Sequence, residues 1–156
     1  MEEKTYLAEV YDSFLSSISD YTLLKSTPEE IEEDLYTYFK KARSKFYKCK
    51  QSLELSEDEN GKYFAEFNEK GEEVKPVKLT GFEIAILTHL MLVEYMKPQV
   101  IATEVMKQSL SDKDFRIYSQ ANQLRELNLL YRLLQREAKA MITEYTYMGM
   151  TDDAGK

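Results

Sequence analysis

The sequence predicts an all-α fold: a helical bundle with a long C-terminal helix and a small β-hairpin or extended-loop insertion at about residues 54–79. Three observations predict it. The first is the stretch from Ser119 to Gly149, where Leu124, Leu127, Tyr131, Leu134, Ala138, Met141 and Tyr145 recur at alternating steps of three and four. Side chains so spaced lie above one another on a helix and form one apolar stripe. The second is a scarcity of turn formers, with five glycines and three prolines in 156 residues, which fits a mostly helical chain. The third is a pair of helix-start signatures, Thr27-Pro28-Glu29-Glu30 and Thr80-Gly81-Phe82-Glu83. Each sets a capping hydroxyl three positions before a glutamate that can cap in return.

In the long C-terminal helix, Leu130, Leu133 and Ile142 widen the stripe beyond a narrow two-helix seam. Gly149 is placed to end it. At the other end of the chain, Leu7, Val10, Tyr11, Phe14, Leu15 and Ile18 share a broad face, so a first helix is expected from about Lys4 to Asp20. Glu2, Glu3 and Glu9 suit its positive N-terminal end. Tyr21 to Ser26 is a short connection. The second helix starts at the Thr27 cap, with Pro28 in its first turn, and runs to around Cys49. Ile31, Leu35, Phe39, Ala42 and Phe46 form its buried stripe.

The pattern changes between Gln51 and Lys78. Glu54 to Gly61 reads as an exposed acidic turn. Tyr63, Ala65 and Phe67 alternate with Phe64 and Glu66 as a strand. Asn68 to Gly71 turns, and Val74, Val77 and Leu79 supply a return strand that Pro76 confines to an edge or an end. From Thr80 a third helix is apolar nearly all round, so it is either the central helix or turns one side to another protein. Pro98 predicts a kink after Lys97, and the spacing of Val100, Ile101, Val105 and Met106 carries the helix on to Ser109. Ser111 with Asp114 marks a cap, and a short helix over Asp112 to Tyr118 leads into the long one. One domain, residues 1–150, and a polar tail, 151–156, follow from this order.

The formal charge is −7, with 28 acidic and 21 basic residues. That disfavours a general nucleic-acid binder. The second helix divides its charge, acidic from Glu29 to Asp34 and basic at Lys40, Lys41, Arg43, Lys45, Lys48 and Lys50. This order complements the helix dipole. It admits three readings: a solvated face, a dock for an acidic partner, or a contact with a nucleic-acid backbone. Twelve tyrosines suit either protein interfaces or the edge of a helical core. The candidate protein-interaction residues are Tyr63, Phe64 and Phe67 in the insertion, Lys40, Lys41, Arg43 and Lys45 in the basic run, and Tyr145 and Tyr147 near the end.

Catalytic and metal-binding patterns do not emerge. His89 is the single histidine and Cys49 the single cysteine. A catalytic base needs a nucleophile and an orienting group, and neither is signalled. The lysines before Cys49 would lower its pKa, but no second thiol or base accompanies it. There is no paired-cysteine motif, no Glu-x-x-His step, no calcium loop and no glycine-rich phosphate loop. No cofactor and no enzymatic activity are expected. The N-terminus shows no secretion signal. The longest apolar run, Ile84 to Val93, is far shorter than the roughly 20 residues that span a bilayer. One cysteine makes no internal disulfide, so a reducing interior is the expected surrounding.

Three phrases in the second half are more specific. They are Leu79-Thr80-Gly81-Phe82-Glu83-Ile84-Ala85-Ile86-Leu87, then Leu110-Ser111-Asp112-Lys113-Asp114-Phe115 with Tyr118-Ser119-Gln120-Ala121-Asn122-Gln123-Leu124, and finally Ile142-Thr143-Glu144-Tyr145-Thr146-Tyr147. Together they span roughly residues 79–148, and that region resembles the head–tail connector or adaptor (neck) proteins of tailed phages infecting Gram-positive bacteria. The resemblance implies a virion structural protein, assembled in the host cytoplasm, that forms a ring between portal and tail. The implied partners are further copies of the chain, the portal protein and a tail or stopper protein. Packaged DNA would pass through the ring without specific binding, past an acidic surface that repels it. Such proteins carry no catalytic residues. Two alternatives stay open on the sequence: a helical interaction or regulatory module, and a small DNA-packaging (terminase) subunit. The latter would need a helix-turn-helix and a basic recognition surface.

Overall fold

The computed structural model of the protein describes residues 3–18, 27–109 and 117–154. Four helices lie among them: α1 (Leu7–Ser17), α2 (Pro28–Lys45), α3 (Gly81–Ser109) and α4 (Ile117–Ala154). Between α2 and α3 come three short strands, β1 (Leu55–Asp58), β2 (Gly61–Phe67) and β3 (Glu73–Pro76). The architecture is a mostly helical bundle with a small antiparallel sheet inserted in it. No helix of the described residues is long and apolar enough to cross a membrane.

The first helix starts three residues after its expected beginning, for a non-local reason. Thr5 pairs with the sheet instead of coiling. Its N–H donates to the Val77 carbonyl at 2.9 Å, its carbonyl accepts from the Phe64 N–H at 3.0 Å, and Tyr6 bridges Tyr63. Thr5 is consequently fully buried. Glu9 turns back from the first turn, and its Oε2 accepts from the Tyr6 N–H at 2.7 Å.

The start of α2 is the expected capping box. Thr27 Oγ1 accepts from the Glu30 N–H at 3.3 Å, and Glu30 Oε2 accepts from the Thr27 N–H at 3.0 Å. The helix ends at Lys45, short of Cys49. Phe46 leaves helical geometry (φ −92°, ψ 48°) and buries its ring edge-on to Tyr145, with centroids 5.2 Å apart. Leu35, Phe39, Ala42 and Phe46 are buried as expected, and Ile31 is half-buried.

The insertion is richer than a single hairpin. Leu55–Asp58, expected as part of an exposed turn, is a strand that pairs Leu55 with Phe64 and Asp58 with Gly61. The central strand β2 takes β1 on one side and β3 on the other, with an irregularity at Glu66/Phe67. The Thr5–Tyr6 segment continues along β2 where β3 leaves it. Gly71 turns the chain between β2 and β3 with φ +81°, a conformation that glycine adopts without strain. Asn68 Oδ1 accepts there from the N–H groups of Lys70 and Glu72. Phe64 plugs the sheet into the helices, its ring 5.7 Å from that of Phe39.

Helix α3 is the central helix, packed by α1, α2 and α4. It is capped as its sequence predicts: Thr80 Oγ1 accepts from the Glu83 N–H at 3.1 Å and Glu83 Oε1 from the Thr80 N–H at 2.8 Å. Ile86, Leu87, Leu90, Met91, Val93 and Met96 are all buried. The helix continues through Pro98 to Ser109. In α4 the stripe faces α3, with Ala138 and Tyr145 buried and Leu127, Leu134 and Met141 half-buried.

Gly149 does not end α4. The helix passes through it to Ala154, into what was expected to be the polar tail. The Lys50 ammonium end lies where a Cβ on residue 149 would sit, so the glycine makes room for that lysine. The expected Tyr21–Ser26 connection and the Ser111–Asp114 cap lie outside the described residues. Of the short helix expected over Asp112 to Tyr118, Ile117 and Tyr118 belong to α4.

Candidate interaction surfaces

Four features bear on function: a buried polar knot, a basic depression, an aromatic groove and the outer face of α4. The knot joins three parts of the chain. Glu83 is almost fully buried, and its carboxylate accepts from the Thr80 N–H, the Gln51 amide and the Tyr145 hydroxyl, the last at 2.7 Å. The Cys49 thiol lies 3.4 Å from Glu83 Oε2. Tyr145 in turn accepts from the Lys50 N–H at 3.0 Å and stacks on Phe82, with centroids 6.2 Å apart. Burial pushes the Glu83 carboxyl up, but these donors pull it further down, and it ends below the usual carboxylate range.

The same surroundings correct the expectation for Cys49. Burial, with the adjacent Glu83 carboxylate, pushes the thiol up to about 12 in spite of the lysines before it. It is therefore held as the neutral thiol, the weaker nucleophile. His89 Nε2 lies 3.1 Å from Glu137 Oε2 and so links α3 to α4. Among the described residues no group of three or more His, Cys, Asp or Glu side chains is arranged to hold a metal ion.

The interaction residues proposed from the sequence divide into three groups. Tyr63, Phe64 and Tyr145 are buried in the chain itself and are not available to a partner. Arg43 is half-buried, donating to the Leu53 carbonyl at 3.3 Å with its guanidinium 5.5 Å from the Phe39 ring centre. Phe67 is half-buried. Lys40, Lys41, Lys45 and Tyr147 remain exposed. Lys45 pairs with the buried Glu94 of α3, so one end of the basic run is an internal lock between α2 and α3. Lys40, Lys41, Lys45 and Lys97 line an open depression of about 530 Å³.

A groove of about 550 Å³ opens between α1, the start of α2 and the β1–β2 turn. Tyr6, Tyr11 and Tyr36 line it together with Glu29, Glu32 and Glu33. The Lys62 ammonium already sits 4.2 Å from the Tyr36 ring centre, within cation–π range.

The outer face of α4 is the least expected surface. Leu130 and Leu133, expected to widen the buried stripe, are 47 % and 45 % exposed, and Leu129 is 58 % exposed. Leu129, Leu133 and Arg136 follow one another at steps of four and three, on the side opposite Ala138 and Tyr145. The signal in the sequence is only the pair Leu129 and Leu133, half a turn out of phase with the first stripe and bounded by Arg125 and Arg136. Comparison of the chain with models of known protein families, with curated proteins and with solved structures returned no match.

Proposed function

We propose that this chain is a structural protein of the virion, a head–tail connector or adaptor that closes into a ring between portal and tail. It works through surfaces and needs no cofactor. Its partners are further copies of itself, the portal protein and the tail or stopper protein. It assembles in the host cytoplasm without a bilayer, and packaged DNA passes through the ring unbound.

The observation that carries this reading is one buried contact. The first and last of the phrases that resemble connector proteins meet in it, 62 positions apart, where the Tyr145 hydroxyl donates to Glu83 and its ring stacks on Phe82. Phe82, Glu83 and Tyr145 hold α3 to α4, while Leu129 and Leu133 on the outer face of α4 stay about half-exposed. A ring subunit needs that combination: a rigid frame, and surfaces its own fold does not use. The net charge of −7 suits a ring that DNA traverses without sticking.

Disruption of the gene tests the reading. DNA-filled heads and complete tails should accumulate unjoined, and the purified chain should restore joining in the extract. Infectious, fully joined particles that lack the chain would contradict it.

A further inference from the structure

We propose that the outer face of α4 in one copy seats in the tyrosine–glutamate groove of the next copy. This names the self-contact that the ring reading requires, and it rests on that reading only for closure of the ring. Two surfaces carry it, and they complement each other in shape type and in charge. The ridge has a leucine crest, Leu129 and Leu133, about half-exposed in the isolated chain. Exposed Arg125, Arg132 and Arg136 line one side of that crest, and exposed Glu126 and Glu137 line the other, so the arginine side is the one that meets the groove's carboxylates. The groove has an aromatic lining from Tyr6, Tyr11 and Tyr36 and carboxylates from Glu29, Glu32 and Glu33.

An amphipathic helix seated in an apolar groove is a general mode of recognition. Here the leucines meet tyrosine rings while the guanidinium groups meet carboxylates and ring faces, which suit arginine in both respects. Tyr36 already receives two cations over its ring, Lys62 at 4.2 Å and Lys40 at 4.8 Å, so the incoming arginines pair chiefly with the carboxylates. Ridge and groove stand on different elements, and both are open in the single chain, so neither covers the other internally. The contact joins two unlike patches. Such a heterologous contact repeats from copy to copy and closes into a ring when its rotation permits. The basic depression at Lys40 and Lys41 is the weaker candidate for the groove's occupant, because its lining residues include no large apolar side chain.

Charge-swapped variants test the contact on the full-length chain alone, by sedimentation at the highest soluble concentration and low ionic strength. Wild type should self-associate, and added salt should weaken it. Arg132→Glu with Arg136→Glu makes the ridge acidic, and Glu32→Arg with Glu33→Arg makes the groove basic. Each pair alone should weaken self-association about tenfold or more. An equimolar mixture of the two variants should restore it, since each altered patch then finds its complement. Leu129→Glu with Leu133→Glu should abolish self-association of that variant on its own, and circular dichroism should show every variant folded.

A wild type that stays monomeric under these conditions would overturn the contact, as would swaps that weaken association with no rescue in the mixture. If the Leu129/Leu133 variant lost portal binding while wild-type self-association stayed unchanged, the ridge would belong to the portal, and the inference would fail while the connector reading stood. Rescued self-association in a chain that never joins heads to tails would sustain the contact and overturn the connector reading.

Discussion

Glu83 illustrates how far a single residue can be read from sequence. Its spacing from Thr80 identified a reciprocal cap, and the structure shows that cap. Its burial and its bonds to Gln51 and Tyr145 arise from residues far away in the chain, which local spacing does not reveal. The node has a pH consequence. The folded Glu83 carboxyl lies below its usual range, so it contributes stability that is fully present above the unfolded pKa of about 4.3. That contribution is lost as pH falls through the lower folded value. The unfolding free energy of wild type should therefore exceed that of Glu83→Gln most at neutral pH, and the gap should shrink on acidification to about pH 3. Tyr145→Phe removes one donor and should cost about 1–3 kcal/mol at neutral pH. Urea titrations across that range check both. Cys49 taught the opposite lesson: nearby lysines in the sequence are not nearby charges at the thiol, and burial beside Glu83 dominates.

At the scale of elements, the helices and the β2–β3 hairpin were legible, and the pairing of β1 and of Thr5 was not. Caps at Thr27 and Thr80, the α2 stripe and the central position of α3 follow from local spacing, because a helix makes its hydrogen bonds within a few residues. The strand β1 was hidden by its charge. Leu55–Asp58 is acidic and half-exposed, and its pairing with β2 rather than its composition makes it a strand. The same holds for Thr5, whose bonds to Phe64, Val77 and Leu79 cross most of the first half of the chain. Thr5 Oγ1 accepts from the buried Leu79 N–H at 2.9 Å. Thr5→Val fills the same space without an acceptor and should destabilise by about 1–3 kcal/mol. Thr5→Ser keeps the acceptor and should lose clearly less. Denaturant midpoints, compared at unchanged slope, measure the difference.

For the whole molecule, the division of labour between the two faces of α4 is the central point. The inner face was read correctly as a packing stripe. Leu130 and Leu133 were assigned to it because apolar residues alone do not say how many sides of a long helix the fold covers. Among the described residues the structure covers one side, and Leu129 and Leu133 stand about half-exposed on the other. Likewise, three of the nine candidate interaction residues, Tyr63, Phe64 and Tyr145, serve the core. Tyrosine and phenylalanine suit either place, and only the packing of Tyr63, Phe64 and Tyr145 decides between them. The lysines at 40 and 41 stay exposed, but Lys40 lies over the Tyr36 ring at 4.8 Å and the pairing of Lys45 with Glu94 removes one charge from that patch.

The most direct measurement mixes the purified chain with portal particles from the same genome neighbourhood and images them by negative stain. The account predicts a ring of added density beneath the portal, with the subunit number visible in end-on views. DNA-filled heads should take up the same ring. A folded chain at high concentration that adds no density to empty portals or to DNA-filled heads would contradict the connector reading.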